Sequence, residues 1–296
     1  MVSELSILIP VHNRDVQDLV QSLVRQVATL SIPVEIRVYD DGSQLVFKSF
    51  NQSISSSESI IYKKLPVNVG RSQIRYLLAQ EARYSTLLFL DNDVLPVHAD
   101  FLATYLSAHS GTVTVGGIAY HDKPSNPELE LRWIYGKERE QAKAAQRQKN
   151  PYDRVFLSNL LVERHLFLEH FKEDVVMAYG HEDTLFADLL QQHQVKVVHI
   201  DNPVYHLGLD TAENFMCKTE LALKNLLLLR KSGWVHKEGK LLKMHDWLGK
   251  LGVLSLLRPL HPWVLRRLKN RLISPNPSLR VFDLYRLLLL DQIQRA

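Results

Sequence analysis

Short apolar runs alternate with amphipathic segments through the first 120 residues, and this alternation constrains the fold more than any other feature. Residues 5–10 (LSILIP) form an apolar run that a proline ends, which is typical of a buried strand. The apolar residues that follow are spaced at i, i+3 and i+4, which predicts an amphipathic helix. They are Val16, Leu19, Val20, Leu23, Val24, Val27 and Leu30. Strands that alternate with helices predict an α/β fold, a mostly parallel sheet with helices on both faces.

The same reading of periodicity extends along the chain. It predicts further strands at 34–39, 60–65, 86–90, 112–118 and 195–200. It predicts helices at 43–59 (with a loose loop), 73–82, 98–109, 160–170, 183–192 and 212–230. Residues 121–155 interrupt the pattern with prolines and a charged run, and we interpret them as a surface insertion, part loop and part exposed helix. We therefore expect a domain at 1–230 and a basic, helical region rich in Leu and Trp at 231–296.

Composition excludes several classes of protein. Hydrophobic residues make up 46% of the chain and charged residues 23%, which excludes a disordered chain, a collagen-like repeat and a disulfide scaffold. The single cysteine, Cys217, forms neither an internal disulfide nor a cysteine-zinc cluster, and its place in an apolar helix predicts a buried core residue. A reducing compartment follows as the expectation.

The positive charge is concentrated at the end of the chain. The whole sequence has a net charge of +4, but residues 231–296 contain 13 Lys and Arg against 4 Asp and Glu. A basic region of this kind favours an anionic partner, either a membrane surface or a nucleic acid. Trp234, Trp247 and Trp263 among Leu and Lys/Arg suit a helix in a membrane interface, whereas the alternative is a helical bundle with solvated basic residues. We find no recognised nucleic-acid-binding module and expect no nucleic-acid partner.

Targeting signals are the next constraint. We expect no signal peptide, since no basic region precedes the first apolar run, and no apolar stretch reaches the ~18 residues that span a bilayer. The expected location is the cytoplasm, with residues 231–296 peripheral on the inner face of the membrane.

Acidic residues follow two of the predicted strands, where an open parallel sheet binds its ligands. Asp40 and Asp41 begin a DDGS sequence, which is also typical of a plain turn. Asp91 and Asp93 follow an entirely apolar strand, and two carboxylates so close suit a hard divalent cation. His206, after a tight Asn-Pro turn, is our candidate nitrogen ligand, although most histidines are structural.

Two pairs of charged residues are the remaining candidates for the functional site. Arg71 and Arg75, four residues apart, lie on one helix face, where they meet either a diphosphate or carboxylates of the protein. Glu182 and Asp183 begin a helix, and they either favour its N-terminus or form a general base whose pKa the neighbouring carboxylate raises.

These motifs together resemble family 2 glycosyltransferases of the GT-A fold, over about residues 3–215. The resemblance is carried in chain order by IP…N at 9–13, DDGS at 40–43, NVG at 68–70 with Arg75, LDND at 90–93, SN at 158–159 and GHED at 180–183. The sequence YGHED is also similar to the WGGED motif of β-1,4-galactosyltransferases.

The resemblance implies a function and roles for individual residues. It implies transfer of a hexose from a nucleotide-sugar, UDP-linked by expectation, to a saccharide or lipid-linked acceptor in polysaccharide or glycolipid biosynthesis. Configuration is inverted, with Asp183 as the base and Glu182 beside it. Mn²⁺ or Mg²⁺ is held by Asp91, Asp93 and His206. The implied donor site comprises Pro10, Val11, Asn13, Asp40, Asp41, Asn68, Arg71, Arg75, Asp91 and Asn92. Trp133, Tyr135 and His181 are candidates for contact with the acceptor.

The sequence departs from the family pattern in places, and other functions remain open. Ile74-Arg75-Tyr76 stands where the family often has Ala-Arg-Asn, and residues 169–174 lack the usual Gly-Gly-Phe-Asp-Glu. A nucleotidyltransferase is an alternative, but we find no glycine-rich phosphate loop after the first strand. A non-catalytic, membrane-attached scaffold is another, against which the intact acidic motifs argue.

Overall fold

The computed structural model describes residues 2–56, 59–108, 113–172, 179–234 and 239–295. The chain divides into two compact units. Unit 1 comprises Met1–Tyr120, Glu140–Met177 and Glu182–Gly208, and unit 2 comprises His121–Arg139, Ala178–His181 and Leu209–Ala296. These limits lie elsewhere than the boundary that we place at 230/231, and the domain boundary remains a prediction.

The strands of the described residues all lie in unit 1. They are β1 Leu5–Val11, β2 Val34–Asp40, β3 Ile60–Lys64, β4 Thr86–Leu90, β5 Val94–Pro96, β6 Val113–Val115, β7 Ile118–Ala119, β8 Asn159–Glu163, β9 Val197–His199 and β10 Val204–His206. The main sheet has the order β3-β2-β1-β4-β8-β6-β9, and a small sheet has the order β5-β10-β7.

The helices surround this sheet in unit 1 and form the regular structure of the described residues of unit 2. They are α1 Gln17–Val27, α2 Leu45–Asn51, α3 Arg71–Glu81, α4 Phe101–Ala108, α5 Glu130–Tyr135, α6 Ala144–Arg147, α7 Arg164–His170, α8 Glu182–Gln192, α9 Ala212–Lys231, α10 Lys240–Lys250, α11 Val253–Leu257, α12 His261–Leu272 and α13 Leu279–Arg295. Short 3₁₀ segments at Gln52–Ser56, Pro127–Leu129 and Arg258–Leu260 and a π-turn at Gly136–Glu140 join them.

Parallel pairing brings the carboxyl ends of four strands to one edge of the main sheet. β1 pairs in parallel with β2 on one side and with β4 on the other, and β2 pairs in parallel with β3. The chain order reverses between β1 and β4, which is where open α/β sheets bind ligands. The predicted mostly parallel α/β fold is therefore confirmed, with β8 as the antiparallel strand between β4 and β6.

Apolar residues bury the sheet on both faces. Along β4, Leu87 and Phe89 pack into one core, whereas Leu88 and Leu90 pack into the other. This alternation is the period of two that places successive strand residues on opposite faces. It explains why the predicted strand at 86–90 is a continuous apolar run rather than an alternating one.

Unit 2 has a helical core of its own. Leu131 of α5 is fully buried, and it belongs to a cluster with residues of α9 to α13 such as Met216, Leu242 and Phe282. The predicted helical nature of the basic region is confirmed in the described residues. No helix among them is both long and apolar enough to cross a membrane.

Three sequence predictions require correction. The helix predicted at 160–170 is a strand, β8, followed by the short helix α7, because a run of Leu, Leu and Val buried on both faces has no periodicity that distinguishes the two. Cys217 is exposed, since the core-facing stripe of α9 passes through its neighbour Met216 instead. The segment at 121–155 is more than surface, because it buries Leu131 and Arg147.

Parts of four predicted segments lie outside the described residues. They belong to the segments at 43–59, 98–109, 112–118 and 169–174.

Candidate active site

The DDGS turn after β2 is built by its first aspartate. Asp40 is fully buried, its Oδ1 accepts the N–H of Ser43 at 2.7 Å, and its Oδ2 accepts the hydroxyl of Tyr62 at 3.1 Å. Gly42 has φ of +66°, and a Cβ there would lie 2.5 Å from the backbone nitrogen of Asn68. Both the positive φ and this approach require glycine. Asp40 thus serves the turn, which is one of the two roles that the sequence left open.

Asp41 holds the loop before α3 in place through hydrogen bonds. Its carboxylate accepts the N–H groups of Val69 at 2.6 Å and Gly70 at 3.1 Å, and its backbone N–H donates to Val11. Asp41 is itself almost fully buried. A single carboxylate therefore joins the loops after β1 and β2 to the start of α3, and these three segments border one cleft.

The cleft lies at the carboxyl edge of the sheet, where β1, β2 and β4 end. Its lining contains seven of the ten predicted donor-site residues. The lining residues are Pro10, Val11, His12, Asp41, Arg71, Ile74, Arg75, Asp91 and Asn92. Of the predicted donor residues, Asn13, Asp40 and Asn68 are not among the residues that line it.

Asn13 and Asn68 instead support the wall of the cleft through contacts with its neighbours. Asn13 accepts the N–H of Gln44 with its side chain and donates its own N–H to Ser43, both at 2.8 Å. The side-chain amide of Asn68 lies 3.0 Å from Nδ1 of His12.

Sequence reasoning missed two of the lining residues, Ile74 and His12. Of the two, His12 is the polar one. Its Nδ1 lies 2.8 Å from the carbonyl oxygen of Asp41, and its Nε2 accepts from the amide of Asn13. The available signal was its position directly after β1, at the edge where the other site residues gather. Among thirteen histidines, that position is a weak distinction.

Arg75 and Asp91 form a largely buried ion pair at the floor of the cleft. One guanidinium nitrogen donates to Oδ1 of Asp91, another donates to the carbonyl of Arg71, and Nε is buried without a hydrogen-bond partner. Burial by itself raises the pKa of Asp91, but the nearby charges of Arg75 and Arg71 outweigh it and lower that pKa below its ordinary value. Asp91 is therefore a carboxylate whose charge Arg75 already balances.

Arg71 makes the second contact with an acidic group. One turn from Arg75 on the same face of α3, its guanidinium lies 3.7 Å from the carboxylate of Glu182. The Arg71 side chain is half exposed, whereas that of Glu182 is buried. Both arginines thus meet carboxylates of the protein in this structure, the second of the two predicted interpretations, while still lining the cleft.

Asp93 and His206 lie together beside this pair. Oδ2 of Asp93 and Nε2 of His206 are 3.6 Å apart. Two donors that each lie about 2.1 Å from one ion are separated by roughly 3 to 4 Å, so this pair fits a divalent cation. The small sheet creates the pairing, because β10 lies antiparallel to β5, directly after Asp93.

The predicted set of three metal ligands is not assembled in the described residues. No group of three His, Cys, Asp or Glu side chains there surrounds a common point that suits a metal ion. The carboxylate of Asp91 is instead paired with the guanidinium of Arg75. Of the three predicted ligands, Asp93 and His206 are the two that lie within 4 Å of each other.

Glu182 and Asp183 open α8 within the same unit. Burial, followed by the charges of Glu182 and Asp91, raises the pKa of Asp183 to about 8, although Arg75 and Arg71 oppose the shift. Asp183 is therefore within electrostatic reach of the Asp91 loop. A carboxyl group with such a pKa is able to exchange a proton near neutral pH.

The three acceptor candidates all lie in unit 2. The indole N–H of Trp133 donates to the carbonyl of His121 at 2.9 Å, and Tyr135 packs against Phe215 and Phe282. His181 has φ of +71°, which is a left-handed backbone conformation. Tyr135 therefore has the packing role that the sequence left as an alternative to stacking on a sugar.

Comparison with known proteins gives the family. The sequence profile of Glycosyl transferase family 2 matches residues 6–161, just over half of the chain. No curated protein matches the chain significantly.

Two solved structures have similar folds. One is the mannosyltransferase PcManGT from Pyrobaculum calidifontis in complex with GDP-Man and Mn²⁺, which is 13% identical, with a TM-score of 0.59 over 98% of this chain and 86% of that one. The other is TarS 1-349 from S. aureus, which is 16% identical, with a TM-score of 0.51 over 99% and 91%. The profile match and the GT-A-like fold agree, and the chain belongs to glycosyl transferase family 2.

Proposed function

We propose that this glycosyltransferase is an inverting, metal-dependent enzyme that moves a hexose from a nucleotide-sugar to a saccharide or lipid-linked acceptor. The observation that carries the proposal is the cleft at the carboxyl edge of the sheet, which is lined by Arg71, Arg75 and Asp91. The pKa of Asp183, which burial and then the charge of Glu182 raise, is also affected by the charges of these three residues. A base that titrates near neutral pH therefore belongs to the same electrostatic cluster as the cleft. The similar fold of a mannosyltransferase crystallised with GDP-Man and Mn²⁺ supports a nucleotide-sugar and a divalent ion.

The chain's own residues perform the proposed steps. Pro10, Val11 and Asp41 border the part of the cleft that accepts the nucleoside, and Arg71, half exposed, neutralises the diphosphate. Asp183 takes the proton of the acceptor hydroxyl as that oxygen bonds to the anomeric carbon. The bond from this carbon to the diphosphate breaks on the opposite face, its electron pair leaves with the nucleoside diphosphate, and configuration is inverted.

Asp93 and His206 are the residues that would hold the Mn²⁺ or Mg²⁺ ion. When bound, such an ion supplies positive charge to the diphosphate leaving group. Arg75 has a separate task, because its pairing with Asp91 keeps that carboxylate ionised and fixed at the floor of the cleft.

Donor hydrolysis tests this function directly. We expect one sugar among UDP-, GDP- and dTDP-linked donors to release its nucleotide with Mn²⁺, and EDTA to abolish that release. Asp93→Asn should lose it, whereas Asp18→Asn, a matched change on the exposed surface of α1, should keep it. Nucleotide release that persists in EDTA and in the Asp93→Asn variant would contradict metal dependence. If no donor releases its nucleotide and none raises the melting temperature of the protein, the proposed donor site is contradicted.

The basic region at 231–296 is the part of the chain that we connect with the membrane. We infer that its helices contact the surface of a membrane, which suits an acceptor carried by a lipid in polysaccharide or glycolipid assembly. Support comes from its excess of Lys and Arg and its exposed Trp residues.

A further inference from the structure

Solvent-exposed apolar side chains are concentrated in one stretch of unit 2. Soluble proteins leave single apolar residues exposed without consequence, but a dense group of them indicates an interaction surface. The exposed large apolar residues of this stretch are Met244, Trp247, Leu251, Leu256, Leu257, Leu260 and Trp263. We call them the 244–263 face.

The first part of the face is a stripe along α10. Met244, Trp247 and Leu251 follow one another at i, i+3 and i+7, which places them within roughly 60° of arc around the helix. The buried residues of α10, Leu242 and His245, lie on the opposite side. The stripe is thus the outer surface of a helix whose inner surface is already packed.

The second part continues through α11 and into α12. Leu256, Leu260 and Trp263 repeat at i, i+4 and i+7, while Leu265 and Leu272 point into the core of the unit. Leu256 is 81% exposed and Trp263 is 63% exposed, so most of each side chain is accessible to solvent.

A buried charged cluster anchors α10 and α12 on the same helix. Asp291 of α13 is 3% exposed, with Nε2 of His245 and Nδ1 of His261 each 3.5 Å from its carboxylate. Arg295 and Arg258 also contact this carboxylate, at 3.1 and 3.6 Å. Both helices therefore rest their inner sides on α13 and turn their apolar stripes away from it.

Basic residues accompany the apolar ones. Residues 240–271 contain Lys240, Lys243, Lys250, Arg258, Arg266, Arg267, Lys269 and Arg271. Asp246 is the sole acidic residue of this stretch, and Arg230 pairs with it. The guanidinium of Arg267 stacks over the ring of Trp263, 5.6 Å from its centroid, so a cation and an aromatic ring are presented together.

We propose that the 244–263 face docks onto an anionic lipid bilayer and inserts Trp247, Leu256 and Trp263 into its interface. This inference rests on the proposed membrane contact of residues 231–296. It adds which surface of the protein makes the contact and that the lipid headgroups are anionic. Short amphipathic helices with Trp and Leu on one face and Lys/Arg beside them bind interfaces in this way, without spanning the membrane. The charge of the stretch selects anionic headgroups rather than neutral ones.

Vesicle flotation with the full chain tests the proposal. Vesicles of phosphatidylcholine with 30% phosphatidylglycerol should carry the protein, and pure phosphatidylcholine vesicles should carry at least tenfold less. Leu256→Ser combined with Trp263→Ser should weaken binding by roughly tenfold or more, because each removes an apolar side chain from the interface. Leu45→Ser is the matched control, since Leu45 is 83% exposed in α2 of unit 1 and should leave binding unchanged.

Fluorescence quenching shows whether the tryptophans insert into the bilayer or whether the protein only adheres to its surface through charge. Lipids with brominated acyl chains should quench the tryptophan emission of the wild type. Trp247→Phe with Trp263→Phe should keep vesicle binding, because Phe also inserts, but should lose most of the quenching. Circular dichroism of each variant checks that the helices remain folded.

Several results would overturn the proposal. Equal binding of the wild type and the Leu256→Ser/Trp263→Ser variant would show that the 244–263 face does not bind the membrane. Equal binding to vesicles with and without anionic lipid would contradict the proposed selectivity for anionic headgroups. Association into a dimer that the same variant abolishes, without vesicle binding, would assign the face to a second copy of the chain. Donor hydrolysis measured without vesicles remains a separate readout, so failed docking and failed catalysis are distinguishable.

Discussion

At the scale of single residues, the chemistry of the site depends on how each carboxylate is paired. Asp40 and Asp41 are occupied by hydrogen bonds that shape the cleft, and Asp91 is neutralised by Arg75. Asp183 has the opposite environment, since burial and the charge of Glu182 oppose its ionisation. Carboxyl groups close to one cleft thus acquire different protonation states, which is how a site obtains both a fixed anion and a proton acceptor.

The raised pKa of Asp183 predicts the pH dependence of the reaction. The base must be deprotonated to accept a proton, so kcat/KM should rise about tenfold per pH unit below pH 8 and level off above it. Asp183→Asn should lower kcat by roughly 10²- to 10⁴-fold and abolish this rise. Nucleotide release in the presence of acceptor, measured from pH 5.5 to 9.5, checks both statements. A wild-type profile that is flat across pH 8 would contradict them.

The same pKa predicts a stability difference of defined sign. An unfolded aspartate titrates near pH 3.9, so the stability associated with the protonated Asp183 is fully present below about pH 4 and is lost as pH rises through 8. Asp183→Asn removes this loss. Its melting temperature should exceed that of the wild type at pH 9 and equal it at pH 4, as measured by thermal unfolding. An equal offset at both pH values would indicate a packing effect instead.

At the scale of elements, short connections set the position of the reactive groups. Gly208, just after β10, lies so close to Asp93 that a Cβ there would be 2.1 Å from Oδ2 of that aspartate. The absence of a side chain at 208 is therefore what allows Asp93 to approach His206.

Gly208→Ala should displace the carboxylate of Asp93 while leaving the core intact. We expect Mn²⁺ to bind the protein roughly 10- to 100-fold more weakly, with a melting temperature close to that of the wild type in EDTA. Metal-induced thermal shifts measure this, with Gly249→Ala as the control, because a Cβ at 249 meets no atom within 4 Å. Unchanged affinity in Gly208→Ala would contradict the role of Asp93 as a metal donor.

Helix α9 contacts the short segment that precedes α8 in the chain. The side-chain amide of Asn225, which is 3% exposed, donates to the carbonyl of Gly180, two residues before Glu182. We expect Asn225→Leu to lower kcat by about tenfold and to shift the pH profile of kcat/KM, with the KM for the donor unchanged. Asn225→Asp retains no N–H donor and should resemble Leu. A loss confined to thermal stability would assign Asn225 a structural role only.

At the scale of the whole molecule, the two units obtain their stability by different means. Unit 1 is held by apolar cores on both faces of its sheet, whereas unit 2 combines a leucine-rich core with the buried cluster around Asp291. Such a cluster is sensitive to the loss of Asp291, because the buried imidazoles of His245 and His261 would then have no carboxylate beside them.

Asp291→Ala should therefore destabilise the helical unit by about 1–3 kcal/mol. Chemical denaturation followed by the fluorescence of the tryptophans, all four of which lie in unit 2, measures this change. Asp283→Ala is the control, since Asp283 is about half exposed and its pair with Arg139 lies at the surface. Equal effects of the two substitutions would contradict a special role for the buried cluster.

The sequence by itself determined the strand and helix alternation, the acidic residues at the strand ends and the basic region. These features are local, because apolar periodicity and turn residues depend on neighbours along the chain. Local patterns failed at β8, where a run buried on both faces has no periodicity, and at Cys217, whose orientation depends on what α9 packs against.

Only the tertiary structure decided which charged groups are partners. Arg75 binds Asp91 across 16 residues, Asp93 meets His206 across more than 100, and His245 and His261 share Asp291. No spacing rule connects residues so far apart, since their distance depends on how strands and helices pack. The raised pKa of Asp183 and the pairing of the proposed metal donors, Asp93 and His206, follow from that packing, because burial and neighbouring charge set a pKa and sequence position does not.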